Sequence, residues 1–217
     1  MKKHELEELK ISIYDRLRRA IDEGDKEKAL ELFDEINSNR IKYRNFFLPW
    51  IDMLLTYIAD NLGEEAVYET MRKYDSILIR PAFKAALDPN KSAEDRLKGR
   101  AYMWTSMHGI NIDEIEEDEE KFILKFKCPT GGTVRTMEQY GKTKKEHSWS
   151  YGQDGFCYYC LHCPICFEKM TIEQLGYPAW VTLPQPDGRC IQYLYKDPTS
   201  VPAEYYKRLG MEKKTTK

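Results

Sequence analysis

Phe156-Cys-Tyr-Tyr-Cys-Leu-His-Cys-Pro-Ile-Cys-Phe167 holds four of the chain's six cysteines: Cys157, Cys160, Cys163 and Cys166, each three residues after the last, with His162 among them. Thiolates spaced this way can turn their sulfurs toward a common centre. A metal ion or an iron–sulfur cluster rewards that arrangement with bonds an apolar core does not supply. The stretch therefore reads as a thiolate-rich metal site that braces the C-terminal half of the chain.

Working outward, composition bounds the rest. A chain of 217 residues can bury a real core as one large or two small domains. Its 34 Lys and Arg against 36 Asp and Glu give a net charge of −2, with no overall pull toward nucleic acid or an anionic membrane. Met1 to Leu9 is charged and amphipathic, unlike a secretory signal, and no apolar run approaches the roughly 18 residues of a membrane span. The expected location is the cytoplasm, where cysteines serve as reduced thiols or metal ligands rather than bridges.

The chain before the cysteines changes character once. Up to about Gly109 the spacing is helical: Leu6, Leu9, Ile13, Leu17 and Ile21 recur at three and four, and Gly24-Asp25 marks a stop followed by a new N-cap. A short helix is expected through Ile36, ending at Asn37-Ser38-Asn39. A main buried helix starts at Pro49, and another opens at Glu64-Glu65 and runs through Tyr74. After a loop containing Pro81 and Pro89, Ser92 caps a helix carrying Trp104 and His108. Asp113 to Glu120 holds seven acids in eight positions and reads as a solvated connector. Phe122, Leu124 and Phe126 then alternate with lysines and Ile123 as a half-buried strand ending at Cys128. Thr133 to Met137 is a candidate second strand. Phe167 to Leu175 is a helix closed by Gly176, Ala179–Leu183 and Arg189–Tyr195 are strands joined by the turn at 184–188, and the tail from about Tyr205 frays. The fold class is α+β: a helical region 1–112, an acidic connector 113–121, and a β-containing, cysteine-rich region 122–217 with a small antiparallel sheet.

Three uses of the thiols compete. Zn2+ would take Cys128 at the strand end with two or three of Cys157, Cys160, Cys163 and Cys166, or Cys190 in place of one of them. A [4Fe-4S] cluster would use the C-x-x-C-x-x-C run of Cys157, Cys160 and Cys163, with Cys128-Pro129 as the remote ligand. A purely structural zinc would make the region an interaction module. Ligand number separates the zinc cases, because four thiolates close the site while three plus water leave it open for catalysis. Around the cysteines, Trp104, Trp149, Tyr151, Tyr158 and Tyr159 are candidates to line a small-molecule pocket. His108, His162 and Glu168 are candidate proton carriers. Each also has an ordinary alternative as core or surface. No Ser-His-Asp order and no phosphate-cradling glycine motif are present.

A helical first half, a strand running into Cys128-Pro129, and Asp187-Gly-Arg-Cys-Ile-Gln-Tyr-Leu-Tyr195 together resemble the 4-vinyl-reductase-type small-molecule-binding domain. The chain is also similar to the aminothiazoline-carboxylate hydrolase family. The likeness is confined to the C-terminal part. It implies a cysteine-rich zinc site beside an aromatic-ligand pocket, with Cys190 matching the cysteine that leads into the last strand. The expected function is a zinc-thiolate protein that binds or transforms a small organic molecule, by hydrolase-like or lyase-like chemistry if the metal is open. An iron–sulfur redox protein is the alternative. The expected partner is a small molecule, not nucleic acid or a membrane, and a homodimer is compatible with this.

Overall fold

The computed structural model describes residues 10–80, 88 and 90–214. The readings placed on Met1–Leu9, Pro81 and Pro89 lie outside them. The chain divides into two compact units, Met1–Trp50 and Ile51–Lys217. This boundary falls inside a helix and not at the acidic run.

In the first unit, α1 (Ile13–Asp22) is capped by Ser12, whose hydroxyl accepts the Asp15 N–H at 3.1 Å. Gly24, at φ 73°, reverses the chain, and Asp25 accepts the Lys28 N–H at 3.0 Å to start α2. That much follows the expected stop and start. The expected break at Asn37–Asn39 and fresh start at Pro49 do not occur, since α2 runs unbroken from Lys26 to Leu62 with Pro49 inside it. Asn37 sits on an exposed face, where its side chain accepts from Arg40 at 3.0 Å instead of competing with the backbone. Pro49 costs one backbone hydrogen bond that a helix this long tolerates. The segment is also not a fully buried hub: Leu55 and Ala59 are buried, whereas Trp50, Met53, Leu54 and Tyr57 are exposed.

In the second unit, α3 (Glu64–Tyr74) continues into a π-helical turn, Asp75–Ile79. Ser92 accepts the Asp95 N–H at 3.1 Å, and α4 (Ala93–Tyr102) likewise ends in a π-helical turn, Met103–Met107. The sheet is antiparallel in the order β1 (Glu114–Glu117), β2 (Lys121–Lys127), β4 (Arg189–Tyr195), β3 (Val181–Pro184). The acidic run is thus an edge strand, not a connector. Its carboxylates stay exposed while its backbone pairs with β2, and Lys125 bridges Glu114 and Glu116 at 2.8 and 2.5 Å. On β2 the alternation holds, with Phe122, Leu124 and Phe126 buried opposite Leu194, Gln192 and Cys190 of β4.

Two further expectations fail. Thr133–Met137 is not a strand, because Gly131–Arg135 forms a short helix, α5, directly after the Cys128-Pro129 turn. The tail does not fray at Tyr205: Ala203–Lys207 is helical (α7), and Tyr206 and Leu209 are buried. Arg208 fixes it by reaching the buried carboxylate of Glu168 and donating to the Thr182 carbonyl at 3.2 Å. The cysteine stretch is itself helical. Tyr158–Leu161 makes a 3-10 turn, Cys163–Lys169 a π-helical turn, and Met170–Leu175 the helix α6, closed by Gly176 at φ 86°.

The join between α5 and the β3–β4 turn is unusually close. A Cβ on Gly132 would lie 2.0 Å from the Gly188 carbonyl oxygen, and one on Gly131 would lie 2.6 Å from the Cys160 sulfur. Gly132→Ala is expected to cost about 2–3 kcal/mol, because the backbone must move apart. Gly152→Ala meets no neighbouring atom but is strained at φ 70°. Urea unfolding should rank Gly132→Ala below both wild type and Gly152→Ala.

Candidate functional site

Among the described residues no group of three or more His, Cys, Asp or Glu side chains is arranged to hold a metal ion. All six cysteines are free thiols, and four of them meet as two pairs, Cys128 with Cys190 and Cys157 with Cys160. Cys157 caps a 3-10 turn that contains Cys160, while Cys163 and Cys166 lie on the π-helical turn that follows. Cys166 donates to the Met71 carbonyl at 3.7 Å.

Arg135 links the two pairs. Its guanidinium donates to the Cys160 sulfur at 2.9 Å and the Cys190 sulfur at 3.6 Å, and to the carbonyls of Gln185 and Arg189 at 3.2 and 3.0 Å. Cys128 is held well below the usual thiol range by the hydrogen bond from Cys190, helped by the Gly132 and Thr130 N–H groups. Cys190, as the donor, is pushed up. Cys160 is raised by its bond with Cys157 and by burial, and burial raises Cys163 and Cys166. Cys128 is thus favoured as the thiolate, and Cys160, Cys163, Cys166 and Cys190 are held toward the neutral form.

Beside these thiols the second unit encloses a cavity of about 350 Å³. Its wall is largely apolar and aromatic, with Tyr74, Trp104, Tyr159 and Phe167, and its polar groups are few: Thr70, Arg100, His108, Thr130, His162 and Cys163. All three π-helical turns border it, through Ile79, through Met103 and Trp104, and through Cys163 and Phe167. A π-helical turn widens a helix and re-aims its side chains, and such turns recur at functional sites. In the neutral His162 ring, Nδ1 must carry the hydrogen, because it lies 2.6 Å from the Tyr159 carbonyl, which can only accept. Nε2 is then an acceptor, 3.6 Å from the Cys163 sulfur. A thiol and an imidazole base thus stand together at the cavity wall.

The expected pocket residues divide. Trp104, Tyr159, His108 and His162 line the cavity, and Trp104 packs on Phe126 with ring centroids 4.4 Å apart. Trp149, Tyr151 and Tyr158 do not line it. Trp149 stacks between Tyr68 and His147, and the Tyr158 hydroxyl donates to Glu64 at 2.7 Å. Glu168 is fully buried in a closed network with Tyr151, Arg208 and the Thr182 N–H. Burial raises its carboxyl, but each contact is structural and none faces the cavity.

Arg100 was not expected. Its side chain, 4% exposed, lies between the ring faces of Trp180 and Trp104, at 3.7 and 4.5 Å. Its Nε donates to the Gln192 side-chain carbonyl at 2.7 Å, an oxygen that also accepts from the Trp104 indole at 3.4 Å. Desolvation pulls the guanidinium down to about 9, so it is cationic at neutral pH. The signal for it lay in β4, where Gln192 occupies the inward phase between Cys190 and Leu194, a polar residue at a core position. Arg135 was equally unexpected and had no comparable sequence signal.

Comparison with protein-family models, curated proteins and solved structures finds no match, so any reading of function rests on this geometry. A pH titration followed at 240 nm on protein freed of metal by EDTA should show Cys128 ionising below pH 9. The step should be lost in Cys128→Ser. In Cys190→Ala it should move to higher pH, because removing the donor removes stabilisation of the anion.

Proposed function

We propose that this protein binds a small organic molecule in the aromatic cavity and presents it to the Cys163 thiol. The supporting observation is the cavity itself. A volume of about 350 Å³, an apolar aromatic wall and a few convergent polar groups are the usual make-up of a small-molecule site. If the bound molecule reacts, Cys163 is the candidate nucleophile and His162 Nε2 the candidate base, since they are adjacent at the wall. His108, whose ring centroid lies 5.0 Å from that of Trp104, is a second imidazole facing the same space.

A panel of one- and two-ring aromatic compounds tests the reading by thermal shift. A binder at a hundredfold its Kd should add about 2.7 kcal/mol to folding stability. Thr70→Trp, an exposed position on the cavity lining, should narrow the entrance and weaken every binder tenfold or more while leaving the unliganded melting temperature nearly unchanged. If no compound in the panel raises the melting temperature, the proposal fails.

The second reading is a zinc-thiolate centre, and Arg135 favours it. A guanidinium directed at two sulfurs and two carbonyls, with no carboxylate partner among the described residues, suits sulfur that carries negative charge, as metal-bound thiolates do. Cys128, Cys157, Cys160 and Cys190 are the residues that would hold the ion, and closing the two pairs on it requires them to move together. Elemental analysis of protein purified without oxygen is expected to find about one zinc per chain, lost on Cys160→Ser. Iron with a broad absorbance near 400 nm would instead support the cluster alternative, and neither metal would leave a thiol site alone.

A further inference from the structure

Arg80 and Arg208, partly buried in this unit, have acidic partners, whereas Arg96 donates to the Tyr195 and Lys196 carbonyls and Arg135 to sulfurs and carbonyls. Arg80 meets Asp75 at 2.7 Å, and Arg208 meets Glu168, each carboxylate side chain being fully buried. Arg100 is more deeply buried than any of these, at 4% exposed. Among the described residues no carboxylate forms an ion pair with it, and its hydrogen bonds go to neutral groups, the Gln192 oxygen and the Met103 sulfur at 3.3 Å. Cys163, Cys128 and Cys190 act on it only through space. Removing a charge from water without an ion-pairing partner costs several kcal/mol, which the Cys128 thiolate acting through space offsets only in part. A site that keeps such a charge benefits from an anion that arrives later.

The surroundings fix where that anion can come from. Trp104 and Trp180 cover the two faces of the guanidinium, and Gln192 holds its Nε edge. Arg100 also lines the cavity. The chain carries 36 Asp and Glu, yet none of those described lines this cavity, whereas Arg100, His108 and His162 do. Among the described residues, Arg100 is thus the lining side chain that carries a full formal charge, in a protein whose net charge is −2.

We infer that the ligand is a small organic anion whose carboxylate or similar group meets Arg100 while its apolar body lies against Trp104, Tyr159 and Phe167. The inference rests on the small-molecule reading above and adds the charge of the ligand. A guanidinium held in plane by Gln192 is suited to a planar, bidentate carboxylate. Isothermal titration with 2-naphthoate and its neutral isostere 2-naphthamide at pH 7 tests it. Wild-type protein should bind the naphthoate at least tenfold more tightly, and Arg100→Met should bring the two affinities within twofold of each other. Equal affinities in wild type, or a preference for the anion that survives in Arg100→Met, would overturn the inference while leaving the cavity reading standing. Binding of neither probe overturns both together. If Arg100→Met does not fold, the wild-type ratio decides alone.

Discussion

The close approach of two backbones, Gly132 of the turn after β2 and Gly188 of the β3–β4 turn, is the constraint on which the thiol region depends. With no side chain on either residue the two turns meet at a distance that would exclude a Cβ on Gly132. Cys128 is thereby brought beside Cys190, its N–H bonding the Gly188 carbonyl at 3.1 Å. The same approach lets Arg135 reach carbonyls and sulfurs on both sides. Gly131 makes the matching concession to Cys160. Remove the close packing and the thiol pairs, the thiolate and the guanidinium lose their common frame.

The cavity depends on a different device. Three helical segments each contain a π-helical turn, and each places a wall residue there. Regular α-helices would continue their side-chain rows past this space. The irregular turns swing Trp104 onto Phe126 of the sheet and Phe167 onto Trp180, with centroids 4.4 Å apart in both cases. The apolar wall and the buried cation are two results of one arrangement, since Trp104 packs against the sheet and covers Arg100 as well.

Much of this was legible in the sequence where the signal is periodic and local. The alternation of Phe122, Leu124 and Phe126, the turn at 184–188, the Ser92 cap and the Gly176 stop all stand as expected. What failed depended on partners distant in sequence. Seven acids in eight positions reads as solvated connector, and only pairing with β2 makes Glu114–Glu117 a strand. The charged tail reads as frayed until Arg208 meets Glu168, forty residues earlier. The spacing of Cys157, Cys160, Cys163 and Cys166 suggested convergence, and the structure shows Cys157 paired with Cys160, with no group of three ligand-type side chains arranged for an ion among the described residues. Arg100 and Trp104 were both visible as residues. The polar group that ties them together, Gln192, lies some ninety positions later on a strand.

The acidic edge strand limits how molecules of this protein can meet. β1 leaves one rim of the sheet with open backbone groups, a ready template for accretion of another chain. Two copies brought rim to rim would set Glu114, Glu116 and Glu117 against their own counterparts, and like charges repel at that range. At the opposite rim Pro184 lacks an N–H to offer. The sheet is thus protected against fibre-like stacking by electrostatics on one side and by missing donor chemistry on the other.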